Sequence, residues 1–174
     1  MKKNIVLLFS LFLVMNCFAQ ETKAKDAKEV ETSVYYLIRH AEKNRSDKSN
    51  KDPELTKDGH NRAAYWADVF KNVKFDAVYS TEYNRTIQTA KPTADANELE
   101  IKSYHPFRLD LPKFLKDTAG KTVLIVGHSN TTPAITNRLL SKEMFESIDD
   151  SNNGNVYIVT VTGDTKTVQL LTIN

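Results

Sequence analysis

The apolar pattern of this chain predicts an α/β fold with a mainly parallel central sheet, helices on both faces and a C-terminal antiparallel hairpin. Three observations carry that expectation. Short apolar, β-branched runs alternate with helix-period stretches along the chain. The two richest runs, VYYLIR from Val34 to Arg39 and TVLIVG from Thr122 to Gly127, are apolar on successive residues, as strands covered on both faces must be. The last two runs alternate instead and meet at Gly163-Asp164, a hairpin turn signal.

Element by element, Val34 to Arg39 reads as a buried first strand, followed by a long polar stretch to Asp52. From Lys57 to Asn72, the spacing of Ala63, Trp66, Ala67, Val69 and Phe70 makes one apolar helical stripe, with Thr56 as N-cap and Trp66, Tyr65 and Phe70 in the core. His60, on the first turn, is expected at the surface. Asp76 to Ser80 is the second strand, and Tyr83 to Lys91 a helix that Pro92 stops or kinks. Leu99 to Tyr104 is a weaker third strand. Leu111 to Thr118 is a short helix with Phe114 and Leu115 inward, ended by Gly120, and Asp110 is its cap. Thr122 to Gly127 is the central strand; Thr132 to Leu140 is helical with Pro133 in its first turn. Asn155 to Thr162 and Lys166 to Ile173 form the closing hairpin, and Asp149-Asp150 ahead of it reads as a solvated turn.

Charge narrows the function classes. Of 24 Lys+Arg against 22 Asp+Glu, Lys2 and Lys3 are the only charges in the first 19 residues, and they supply the whole excess. Those residues read as a secretory signal peptide: a basic start, an apolar Ile5 to Met15 apart from Ser10, then Cys17-Phe18-Ala19 before a cut. Residues 20–32 read as a polar linker, and 33–174 as one folded domain. Cys17 raises lipoprotein anchoring as an alternative, with a poor lipobox. The mature chain is then expected in the periplasm or outside the cell, with no membrane span. It has zero net charge and no global basic field for nucleic acid. Losing its only Cys with the leader, it can make neither a disulfide nor a thiolate metal site.

Ligands in open parallel sheets bind beyond the carboxyl ends of the strands. Three of those ends carry distinctive side chains: Arg39-His40 on the first, Ser80 with Arg85 a helical turn later on the second, and Gly127-His128-Ser129 on the central strand. Imidazoles and guanidiniums gathered on one edge suit phosphoryl transfer. A neutral imidazole is a competent nucleophile, and a planar guanidinium holds phosphate oxygens in pairs. The helix beginning near Thr131 adds free main-chain N–H groups beside His128. No metal and no cofactor is called for.

Four segments, RHAEK (39–43), LTKDG (55–59), STEYNRTIQTA (80–90) and VGHSNT (126–131), resemble in order and spacing the histidine phosphatase superfamily, in its short single-domain, phosphoglycerate-mutase-like form. That resemblance implies a three-layer α/β/α sandwich. It implies that His40 is the phosphorylated nucleophile, that Arg39 and Arg85 bind the phosphoryl group, and that His128 completes the pocket and stabilises the transferred group; Ser129, next to His128, is expected to bind phosphate with them. The partner is then a small phosphorylated substrate. Two departures stand out. Ala41 follows the nucleophile where glycine is commoner, and no carboxylate with a clear motif follows the third strand. His105, directly off that strand and extended by Pro106, is the best candidate for the leaving-group acid, ahead of Asp110, Glu42 and Glu82; Glu82 is expected in the first turn of its helix. Other readings are a non-catalytic phosphate-binding envelope protein, a metal hydrolase built on His40-Ala41-Glu42, and, lower, a mutase.

Overall fold

A computed structural model describes residues 30–173 of the chain. The expected leader and nearly all of the expected linker lie outside them. Among the described residues six strands and four helices follow in order: β1 Thr32–Arg39, α1 Lys57–Val69, β2 Ala77–Ser80, α2 Asn84–Ala96, β3 Ile101–Ser103, α3 Leu111–Asp117, β4 Thr122–Gly127, α4 Thr131–Leu140, β5 Asn155–Thr162 and β6 Thr165–Thr172.

The strands form one sheet in the order β3-β2-β4-β1-β5-β6. The first four are parallel, and β5 and β6 add an antiparallel hairpin. Alternate residues of the central strands feed two separate cores. Tyr35, Leu37, Val123 and Ile125 face one side, where Phe114 of α3 and Ile135 and Leu139 of α4 cover them. Ile38, Leu124 and Val126 face the other, against Trp66 of α1 and Ala90 and Ala94 of α2. The result is a three-layer α/β/α sandwich, as expected. Full burial of such aliphatic side chains contributes roughly 1.5–3 kcal/mol each.

Register brings the chemistry together. Arg39 pairs with Gly127 across β1 and β4, and Ser80 pairs with Val126 across β2 and β4. The last residues of the three strands therefore lie at one level, and the loops leaving them converge.

Local signals account for most boundaries. Thr56 caps α1, its Oγ1 accepting from the Gly59 amide at 3.0 Å, and Asp110 caps α3, accepting from the Lys113 amide at 3.1 Å. Gly163 supplies the positive φ of the β5–β6 turn. Elsewhere the packing overrides the local signal. Pro92 lies inside α2, which runs on to Ala96 because Ala90, Thr93 and Ala94 are buried against the sheet, and Asn97 Nδ2 donates to the Thr93 carbonyl at 2.8 Å. Tyr65 is not a core residue: it sits one position off the stripe and is 43% exposed, unlike Trp66 and Phe70. Leu115 is only half-buried, α1 stops at Val69, and β3 keeps only the middle of its expected span. Glu82 stands before the first residue of α2 rather than in its first turn.

Candidate active site

At the carboxyl edge of the sheet a cavity of about 570 Å³ opens, with Arg39, His40, Arg85 and His128 in its floor and walls. Its other lining includes Lys43, Glu82, Tyr83, His105, Phe107 and Ser129. That volume holds a small molecule with a body larger than a phosphate group.

His40 is fixed from several sides. Its amide donates to the Gly127 carbonyl at 2.9 Å, and its carbonyl accepts from Asn153 Nδ2 at 2.7 Å. The next amide, of Ala41, donates to Thr89 Oγ1 at 2.9 Å, and Thr89 donates in turn to the Arg85 carbonyl at 2.7 Å. Nδ1 of His40 lies 2.7 Å from the Ala41 carbonyl. A carbonyl only accepts, so the proton of the neutral ring is on Nδ1 and the lone pair on Nε2. Burial, with the fields of Arg39, His128 and Arg85, pushes the imidazole pKa down to about 3, against a hydrogen bond that raises it. The ring is neutral at physiological pH.

His128 is oriented by a chain of hydroxyls. Its Nε2 donates to Thr81 Oγ1 at 2.9 Å, Thr81 donates to Thr86 Oγ1 at 3.0 Å, and Thr86 donates to the Tyr83 carbonyl at 2.8 Å. This leaves Nδ1 as acceptor, 3.4 Å from Arg85 Nη2. Burial and then Arg85 push His128 down to about 4. The two imidazole rings stand 5.5 Å apart, centre to centre. Gly127 precedes this residue because a Cβ there would lie 2.9 Å from both Thr131 Oγ1 and Thr132 Oγ1, which pack the start of α4 against the strand end.

The two arginines differ in what they have left to offer. Arg85 is buried with Nε and Nη1 free of hydrogen bonds; its Cζ lies 4.3 Å over the Tyr83 ring, and Nη1 makes an ion pair with Asp52 Oδ1 at 3.5 Å. Arg39, 2% exposed, turns Nη1 to the carbonyls of Asp149, Asp150 and Asn152 at 2.9, 3.1 and 3.1 Å, and Nη2 to Asp150 Oδ1 at 2.5 Å. Only its buried Nε is left without any partner. Asp149-Asp150 is an exposed turn, as expected, and it is also tied down: Asp150 takes Arg45 at 2.8 Å besides Arg39, and the two guanidiniums hold its pKa at about 2.

The acid candidates separate. Asp110 is occupied as a cap. Glu42 is turned to Arg62 at 2.6 Å, so the His40-Ala41-Glu42 pair does not converge on one metal position. Glu82 lines the cavity, accepting from Ser103 Oγ at 2.7 Å. His105 lines it too, exposed, its ring 6.1 Å from that of Phe107, which is itself 75% exposed. Ser129 lies on the wall, its carbonyl accepting from Ile148. Among the described residues no group of three or more His, Cys, Asp or Glu side chains is gathered for a metal ion.

Sequence reasoning missed Lys43, Asp52, Tyr83, Asp150 and Asn153. Lys43 was present inside the RHAEK segment, and the polar SNNGN run before β5 held Asn153. Neither run carries a periodic signal.

Comparison with known proteins agrees with this architecture. The family model of the histidine phosphatase superfamily (branch 1) matches residues 35–108. No curated protein matches the chain in sequence. Among solved structures, the chain is similar to phosphoglycerate mutase from Bacillus anthracis str. Sterne, with TM-score 0.65 at 13% identity over 82% of this chain and 94% of that one. It is similar to the protein histidine phosphatase SixA complexed with tungstate, with TM-score 0.63 at 15% identity over 80% and 96%. It is also similar to a phosphoserine phosphatase mutant from Entamoeba histolytica in complex with phosphoserine, with TM-score 0.59 at 16% identity over 79% and 95%. Identities this low speak for the fold alone. The family match, which runs from β1 to the loop beyond β3, adds the sequence side: over residues 35–108 the chain is similar to the histidine phosphatase superfamily (branch 1).

Proposed function

We propose that the chain is a metal-independent phosphatase that hydrolyses phosphomonoesters through a phosphohistidine on His40. The observation that carries this reading is the His40 ring, which is tied through Nδ1 to its own main chain and held neutral, so that Nε2 is left for the cavity between Arg85 and His128. In the first step an Nε2–P bond forms as the P–O bond to the leaving group breaks, and the leaving oxygen takes a proton. In the second, water attacks phosphorus, the Nε2–P bond breaks, inorganic phosphate departs, and the proton lost from water restores the acid. Arg85 and the remaining Arg39 donor hold the phosphoryl oxygens, and His128, with Ser129 beside it, faces the transferring group. The chain acts after export, in the periplasm or outside the cell, on small phosphorylated substrates.

The test is turnover of a panel of phosphomonoesters by the purified protein, with and without EDTA, together with trapping of the phosphoenzyme. The expected result is activity that survives chelation and an acid-labile, base-stable phosphate on His40. Activity lost to EDTA and restored by Zn²⁺ or Mg²⁺ would return the metal hydrolase. Phosphate binding without turnover would make the chain a phosphate-binding module, and phosphoryl exchange between substrates without hydrolysis a mutase.

We assign the leaving-group proton to His105, the imidazole at the cavity mouth. His105→Ala is expected to slow alkyl phosphates about tenfold or more and to spare aryl phosphates, whose leaving groups depart unprotonated. Equal slowing of both classes, measured as kcat/KM, would remove His105 from that role.

A further inference from the structure

The cavity's positive charge is not where its two arginine motifs alone would put it. Arg39 directs both terminal nitrogens at the 149–152 segment, and Arg85 stands against Asp52. The cation on the cavity wall without a counter-ion is Lys43: among the described residues it forms no ion pair, while Arg39, Arg45 and Arg85 are all paired. The charged groups that face it are Arg45 from its own segment, Arg39 from β1, Arg85 from α2 and Asp150 from the segment before β5. That single carboxylate already receives two guanidiniums. Lys43 is thus a partly buried ammonium in cationic company, which lowers its pKa, first by burial and then through Arg85 and Arg45.

Its position is built, not incidental. Lys43 pairs with Leu55 in an isolated bridge, and the Asn44 amide donates to the Glu54 carbonyl at 2.8 Å. On the other side, the Glu42 carbonyl accepts from the Thr56 amide at 2.8 Å, and Gly59 packs so close to it that a Cβ would lie 2.2 Å away. A main chain held at both neighbours presents the lysine stem from a fixed base.

We propose that Lys43 is a phosphoryl-binding residue, the third cation of the clamp with Arg39 and Arg85, and that the phosphate dianion is its missing counter-ion. This rests on the reading of the cavity as a phosphomonoester site. A dianion there meets Arg85 from α2, the remaining Arg39 donor from β1 and the Lys43 ammonium from the segment after β1.

The probe is inorganic phosphate, titrated calorimetrically into the full chain at fixed low ionic strength. Lys43→Met is expected to weaken binding roughly tenfold or more, the worth of a hydrogen bond to a charged group. Lys43→Arg keeps the charge and is expected to stay within about threefold. Lys116→Met, which removes one charge from the exposed end of α3, is expected to bind within about twofold of the unaltered chain. Thermal melts establish that each variant is folded. On substrates, Lys43→Met is expected to lower kcat/KM for aryl and alkyl phosphates alike. Phosphate bound by Lys43→Met as by the unaltered chain, an equal loss in Lys116→Met, or a substrate effect confined to alkyl esters or to esters with a second anionic group overturns the assignment of Lys43 alone. Failure of the unaltered chain to bind phosphate overturns the phosphatase reading, and the Lys43 assignment with it.

Discussion

His40→Ala is expected to abolish turnover, with kcat reduced by about 10⁴-fold or more, because in the proposed mechanism it deletes the atom that forms the covalent intermediate. The label trapped from an aryl phosphate is expected to disappear with it. The surroundings of His40 survive the change, since its main-chain bonds to Gly127 and Asn153 do not involve the ring. Retained turnover in a folded His40→Ala protein, or label found on Ser80 or Ser129, would move the nucleophile elsewhere. The depressed pKa also sets a pH signature. A ring neutral down to about 3 is competent across the acid range, so an acid limb of kcat/KM near neutrality belongs to the substrate's second phosphate ionisation and not to His40. For stability the sign runs the same way. The unfolded chain protonates His40 and His128 below about 6.5 while the folded chain does not until about 3 and 4, so stability falls as pH drops through that window. Denaturant midpoints between neutrality and mild acid measure it.

Arg85→Lys is expected to cost about 10²-fold or more in kcat, as loss of a preorganised donor does. The charge is kept; the geometry is not. Nε and Nη1 are the two buried donors without a hydrogen bond, Nη1 facing Asp52 at 3.5 Å, while Nη2 meets His128 and the guanidinium lies over Tyr83. An ammonium cannot fill these positions together. Near-native turnover of the lysine variant would reduce Arg85 to a helix residue with a convenient charge.

The centre of the sheet was legible in the sequence because β1 and β4 bury side chains on both faces, and such burial leaves an apolar run. Val34 to Arg39 and Thr122 to Gly127 announce themselves in this way, and with them the strand ends that carry Arg39, His40 and His128. What was illegible depends on partners far along the chain. Nothing local marks the exposed Asp150 as the partner of a buried arginine, since Arg39 lies 111 residues away. Asp52 looks like one more charge in a polar stretch until the fold sets it beside Arg85 and under the Asn84 amide. Pro92 misleads for the opposite reason: its local cost is real, and the burial of Ala90 and Ala94 outweighs it.

The hold of Asn153 on the His40 carbonyl, together with the grip of Arg39 on the residues just before it, joins the opening strand to a segment made more than a hundred residues later. During synthesis the proposed nucleophile emerges early, but its support does not exist until the 149–153 segment ahead of the final hairpin has been made. A chain cut short before that point would carry every motif of the front half and still lack the scaffold that pins His40. On the proposed function, competence is expected to depend on completion of the polypeptide, and a molecule cut before the 149–153 segment is expected to be inactive.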